Sequence, residues 1–570
     1  MIQFKGTVKK PTLEILGYII ILFVAAGLRF TLLGGSSLND HEANLALQAL
    51  QVSMGEDITL SGEPGYIALT AIQFFVFGAS DFMARFWPAI FGTCLVLLPL
   101  LYREWLGKST ALLMAGLIAL DPVLIGVSRT ADGRLLALVG LLAAAGFWLR
   151  KRPVLSGICL GGALLGGVGL WLGLLVLAVL VLVFSKQVRT LVIQDDVNAH
   201  PSSKWAVILG IAAITMLLIS TLLLTNPNGI SAVGSSLVEY FSSWGHAGSV
   251  SLPGVSMAWF LTEIPIILFG LWGLIEGLLR HDVKSKGLGI WWGVALVVAL
   301  INPDRGLQQF FWVSIPMLTL AAIKLVDLFK SWKVENHLVF LAETGLVIML
   351  VGFSFLNFIN LVNSTFLTPE DYRDRIIGTL LPLILLIAMT VLLSWGWSNS
   401  STRKGLMAGI LLLFCCATIS TAWKSAGLGS RPEFELRGNG GYPVGEDSLR
   451  STIEDISRWN TGTANGIDIQ VVGFDLPSVT WALRDYENLS FETTYNPNLT
   501  PSIILTPASL EIEAKASYRG QKLLWAVNTD QNNLRLIDWM KWNLFRTAPT
   551  QNTELILWAR NDLFPGAVKP

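Results

Sequence analysis

The sequence predicts an all-α polytopic membrane protein of about thirteen transmembrane helices, followed by a C-terminal extracytoplasmic α/β domain. Three observations predict it. Hydrophobic residues make up 53% of the 570 and charged residues only 14%, whereas a soluble domain carries about a quarter charged. Apolar runs long enough to cross ~30 Å of hydrocarbon recur until residue 423 and then stop. The connecting loops alternate between cation-rich and cation-poor. With a mean hydropathy of +0.59, the composition excludes a soluble globular enzyme and a disordered chain. Lys+Arg and Asp+Glu both number 40, which excludes a basic nucleic-acid binder.

The expected crossings are 13–34, 83–102, 109–127, 134–149, 154–169, 170–185, 205–225, 257–279, 288–301, 307–323, 338–362, 376–396 and 405–423. Leu13 to Leu33 is long for the apolar core of a signal peptide and lacks a small-residue cleavage site, so a retained first span is expected. The stretch Tyr66–Phe77 is too short to cross and suits an interfacial or re-entrant helix. If it does not cross, one side collects Lys5, Lys9, Lys10, Arg103, Lys108, Arg150, Lys151, Arg152, Lys186, Arg189, Lys204, Arg280, Lys284, Lys286, Lys324, Lys330, Lys333, Arg403 and Lys404. The other side receives Arg85, Arg129, Arg134, Arg305, Arg373 and Arg375. The positive-inside rule then puts the N-terminus in the cytoplasm of a plasma-membrane protein, with loops 35–82 and 226–256 and the tail outside.

The boundary falls at 423/424. The tail has 14 basic and 17 acidic residues, an ordinary soluble balance. Helix-like pieces (Asp447–Trp459, Ser478–Asp485, Leu534–Phe545) alternate with strand-like runs (Ile467–Phe474, Ser502–Thr506, Lys522–Val527, Glu554–Trp558), which predicts an α/β domain. The four cysteines all lie in apolar runs and make neither a disulfide framework nor a zinc spacing. The Gly-rich Gly161–Gly173 lies within the membrane and predicts close helix packing; no Lys-Ser/Thr follows it, as a phosphate loop requires.

The segment with most chemistry is Leu38-Asn-Asp-His-Glu, which opens an amphipathic helix whose apolar side (Leu45, Leu47, Leu50, Val52) is expected on the membrane surface. Asp40 and Glu42 stand at its start with no nearby cation in sequence. They suit a general base for a hydroxyl, or ligands of a divalent cation. Equally, Asp40 suits a helix cap and Glu42 its N-terminal dipole. A second segment, Asp121 to Arg134, puts Arg129 and Arg134 on the cation-poor side, where they suit an anion such as a lipid phosphate, or snorkelling with a local pair to Asp132. A third, Asn302-Pro-Asp-Arg-Gly, is a turn that carries Arg305 beside Asp304. His41 and Tyr66 join these arginines as candidate substrate contacts. Loop 226–256 carries Glu239, Tyr240, Phe241, Trp244 and His246; its aromatics suit either interface anchors or a cover over a substrate.

An acidic motif after the first span, then Phe77-Gly-Ala-Ser-Asp-Phe-Met-Ala-Arg-Phe-Trp-Pro, Leu101-Tyr-Arg-Glu-Trp-Leu-Gly and the Asp121–Arg134 segment, resembles the GT-C superfamily of integral-membrane glycosyltransferases. The likeness is to family 39, the protein O-mannosyltransferases and aminoarabinose transferases. It is good over 13–185 and architectural over 186–423. The tail's Trp539…Trp542…Phe545-Arg546 and Ile556-Leu-Trp-Ala-Arg-Asn-Asp are similar to bacterial family-39-like proteins linked with archaeal-type glycosylation. The resemblance implies a polyprenyl-phosphate-linked sugar as donor, a hydroxyl acceptor (protein, lipid or glycan) at the external face, and inversion at the anomeric carbon. It gives Asp40 and Glu42 the acidic role with Asp40 as base, Arg85 the arginine after Gly-x-Ser, and Arg129 and Asp132 the next polar loop. Two departures stand out. His41 separates an acidic pair that relatives carry adjacent, and Glu63-Pro64-Gly65 replaces a Pro-Pro pair. No cofactor is implied beyond a possible divalent cation at Asp40 and Glu42. The competing readings are a non-catalytic GT-C-like protein that assists flipping or transport of lipid-linked glycans, and a decayed transferase kept as a scaffold. Glu263, Glu276 and Glu343 lie in or near spans, as a transporter would have them, but no internal repeat accompanies them.

Overall fold

The computed structural model describes residues 13–185, 201–222, 228–245, 250–330, 332–363, 368–429, 434–436 and 441–564. His246 and the basic residues before Leu13 and at 186–200 lie outside them. Each expected crossing corresponds to a helix. Among the described residues eight helices are long and apolar enough to span: Leu13–Phe30 (α1), Asp81–Leu100, Leu252–Leu279, Val283–Ile301, Leu307–Lys330, His337–Asn363, Glu370–Gly396 and Asn399–Ser425. A bent pair, Lys108–Leu120 and Pro122–Ser128, makes up to nine. Four more are shorter apolar helices, Arg134–Leu149, Pro153–Leu164, Gly169–Val183 and Lys204–Ser220. The protein is a multi-pass membrane protein. Pro64–Phe77 is likewise a short apolar helix that exposes Phe75 and Phe77 near its end.

The breaks have local causes. Pro122 has no N–H and cannot continue the helix from Lys108, so the chain bends by 60° and the Asp121 carboxylate caps the new start, accepting from the Leu124 N–H at 2.7 Å. The carbonyls stranded by this break are taken by Arg29, wholly buried in α1, which donates to Ile118 and Ala119 at 3.2 and 3.3 Å. Leu252–Leu279 kinks at Glu263, two residues before Pro265. The Gly-rich stretch is a packing seam. A Cβ at Gly166 would lie 2.6 Å from that of Ala137, and Gly173 lies under the Trp312 ring. Gly167, with φ +69°, turns the chain between two of these helices where only glycine is unstrained.

The helix after α1, α2 (Asp40–Ser53), is clamped rather than afloat. Its Ala43, Leu45, Ala46 and Ala49 are buried in one cluster with Tyr66, Ile67 and Phe74 of α3 (Pro64–Phe77) and Trp481 of the C-terminal domain. Of the apolar side expected on the membrane surface, Leu45 is buried in this cluster and Leu47, Leu50 and Val52 are partly buried against it.

The C-terminal domain is a six-stranded mixed sheet in the order β1-β5-β6-β4-β2-β3, formed by β1 (Tyr442–Pro443), β2 (Ile469–Val472), β3 (Leu489–Glu492), β4 (Ile503–Pro507), β5 (Tyr518–Thr529) and β6 (Thr550–Arg560). Of the parallel strands β2, β3 and β4, β2 and β4 are buried while β3 is a half-exposed edge; β5 and β6 form a long antiparallel ribbon. All the expected strands and helices are present, while β1 and β3 carry no run long enough to read in sequence. Helix Pro477–Ala482, named α4 here, reaches α2.

Candidate active site

The site is assembled around Glu42. Asn39 and Glu42 form a capping box: the Asn39 side chain accepts from the Glu42 N–H at 3.0 Å and the Glu42 carboxylate from the Asn39 N–H at 3.2 Å. Arg85 grips the same carboxylate with both edges of its fork, at 2.9 and 2.8 Å, and the Ala131 N–H donates at 2.9 Å. Arg85 also donates to the carbonyls of Leu33, Ser36 and Ser37. One buried ion pair thus fastens the exit of α1, the start of α2, the helix bearing Arg85 and the turn 129–133. Burial alone would raise the Glu42 pKa; the Arg85 charge and hydrogen bonds, with the two backbone N–H groups, hold it below the ordinary value. Both of its oxygens accept from these donors. Among the described residues no group of three His, Cys, Asp or Glu side chains is arranged to hold a metal ion.

Asp40 is different. It is half-buried, and its Oδ1 accepts from Ser478 of α4, from the hydroxyl at 2.5 Å and from the N–H at 3.2 Å.

Beside them the chain gathers a second polar group. Asp132 pairs with Arg134 at 3.2 Å, and Arg134 also donates to Gln308, which in turn donates to Thr130 at 3.2 Å. Glu63 accepts from the Gly133 N–H at 2.7 Å. A Cβ on Gly62 would strike the Glu239 carboxylate, so Glu239 of helix Gly229–Ser242 closes the same group. Burial, then the Asp132 charge, pushes the Glu63 carboxyl up to about 8. Burial raises Asp132 to about 6 against the pull of Arg134. His41 keeps surface open to solvent, yet the protein around it, then the Arg134 charge, lowers it to about 4, so its imidazole is neutral at physiological pH.

The remaining expected contacts are placed as follows. Arg129 donates to the carbonyls of Leu28, Arg29, Thr31 and Leu32, capping the end of α1. Tyr66 is buried and donates to the Ala84 carbonyl at 2.9 Å. Arg305 stands on the turn before Gln308, with a buried Nε that has no partner among the described residues. The span glutamates all find partners: Glu263 with Trp259 and Ser314, Glu276 with Lys324 and Arg280, Glu343 with Thr390. Sequence reasoning missed Glu63, Glu239, Gln308 and Ser478 as members of this site. Only Glu63 carried a signal, in its departure from the Pro-Pro pair.

This bundle-plus-sheet arrangement matches solved structures along nearly its whole length. The crystal structure of ArnT from Cupriavidus metallidurans in the apo state aligns with a TM-score of 0.52 at 15% identity, covering 95% of this chain and 97% of that one. ArnT from the same organism bound to undecaprenyl phosphate aligns at 0.51 and 16% identity, covering 97% and 99%. The chain has the ArnT fold. The likeness extends through the C-terminal domain, which the motifs at 38–134 leave uncovered. No family model matches the chain, and no curated protein matches its sequence.

Proposed function

We propose that this chain is a membrane glycosyltransferase that moves a sugar from a polyprenyl-phosphate donor to a hydroxyl acceptor at the extracytoplasmic face. The observation that carries the reading is the division of labour at the start of α2. Glu42 is consumed in holding the site together, while Asp40 keeps Oδ2 without a hydrogen bond among the described residues. The ArnT fold, seen in that protein with undecaprenyl phosphate bound, supplies the donor class.

In the reaction Asp40 Oδ2 takes the acceptor hydroxyl proton as its oxygen attacks the anomeric carbon. The bond from that carbon to the phosphate oxygen breaks from the opposite face, inverting the configuration, and the polyprenyl phosphate leaves with the electron pair. Arg305, whose Nε has no partner among the described residues, is the arginine we assign to receive the growing phosphate charge. The polyprenyl chain stays in hydrocarbon, so donor and base meet at the interface. The test is sugar transfer by the purified protein in membranes supplied with polyprenyl-phosphate sugars. Asp40→Asn should lower the rate by about 10²–10⁴-fold, and Arg305→Gln should weaken the reaction while leaving the fold intact. Unchanged transfer by Asp40→Asn would reject Asp40 as base.

A further inference from the structure

We infer that Ser478, in the C-terminal domain, is a positioning residue for the Asp40 carboxylate, so that this domain completes the reaction site of the membrane domain. The inference rests on the transferase reading and deepens it.

Ser478 is 3% exposed and lies 438 residues from Asp40 in sequence, yet both its hydroxyl and its N–H point at one oxygen, Asp40 Oδ1. An aspartate at a helix start otherwise turns freely about two torsions. Two donors converging on one oxygen fix those torsions and aim the other oxygen. The hydroxyl is not what docks the domain. Docking has its own anchor one turn on. The Trp481 side chain is fully buried, its indole N–H donates to Asp81 at 2.7 Å, its ring lies 5.9 Å from that of Phe74, and the Arg484 guanidinium sits 4.1 Å above it. With the helix held by Trp481, a serine three residues earlier adds a directed donor that alanine would lack. Its neighbour across the contact, Asp40, lies outside the Glu42–Arg85 ion pair.

Steady-state kinetics on the full-length protein with a polyprenyl-phosphate sugar test this. S478A should lower kcat about ten-fold, the value of one hydrogen bond to a charged group, with donor KM within about two-fold. S478T, which restores the hydroxyl, should recover most of the loss. In a D40N background S478A should leave the residual rate unchanged, since the two residues act as one unit. W481F keeps the ring and removes the anchor to Asp81; it should change kcat less than S478A does. If S478A does not fold, as read by its melting temperature, the isosteric pair S478T and S478V gives the same comparison. Wild-type kcat in S478A, or an equal loss in W481F, would overturn the positioning role while leaving the transferase reading in place. A wild-type protein that transfers no sugar from any such donor would overturn the transferase reading itself.

Discussion

At the residue scale, the Glu42–Arg85 pair shows how a carboxylate in a catalytic-looking motif can be structural. Each side chain is 2% exposed, so neither charge has water to fall back on. Glu42→Ala leaves Arg85 buried beside four peptide segments it was recruited to join. The expected cost is about 3–5 kcal/mol, read as a marked fall in the melting temperature of the detergent-solubilised protein. The double variant Glu42→Leu, Arg85→Met should regain much of that, since no lone charge remains. Glu63 makes a prediction of a different kind. Its pKa rises from 4.5 unfolded to about 8 folded, so the native state holds a proton that the unfolded chain releases. That contribution is whole below pH 4.5 and is lost as pH climbs to about 8. Melting temperature should therefore decline across this window, and Glu63→Gln, which mimics the protonated form, should flatten the decline.

At the element scale, the helices were legible because composition writes them and apolar runs need no tertiary information; the break at Pro122 and the helix end before Gly166 fell inside the expected crossings 109–127 and 154–169. The start of α2 was legible as a capped helix, with Asp40 read as the cap; the cap is Asn39, and Glu42 completes a capping box with it. What lay beyond reach were the partners. Arg85 is 43 residues from Glu42 and Ser478 is 438 from Asp40, and no local pattern links them. The packing partners of the α2 apolar face were out of reach for the same reason: an apolar helix face looks alike whether lipid or another helix covers it. The glycine seam allows a direct test. Gly166→Val drives a side chain into the Ala137 backbone and should destabilise by about 1–3 kcal/mol. Gly210, in the helix ending at Ser220, has nothing within 4 Å of an added Cβ, and its change to Ala should be neutral or stabilising in the same melt.

At the scale of the whole molecule, two bodies of unlike composition meet, at Trp481 on α2 and α3 and again where Trp539 and Trp542 pack with Ala258 of the span Leu252–Leu279. The membrane helices carry an apolar core centred on Phe310, Phe311 and Trp312, while the sheet domain has its own around Leu449, Val471 and Leu505. Trp481 belongs to neither and packs with α2 and α3. Trp481→Ala should cost about 3–5 kcal/mol where that cluster is opened, and should speed the release of a C-terminal fragment in limited proteolysis. The long separation between Asp40 and Ser478 also has a consequence for biosynthesis. When the first loop emerges, its aspartate has no donor to settle against, and none exists until the ribosome has made every span and begun the final domain. A nascent chain paused anywhere before that point carries its acidic loop unseated, so competence arrives in one late step, set by chain growth rather than by any separate activating event.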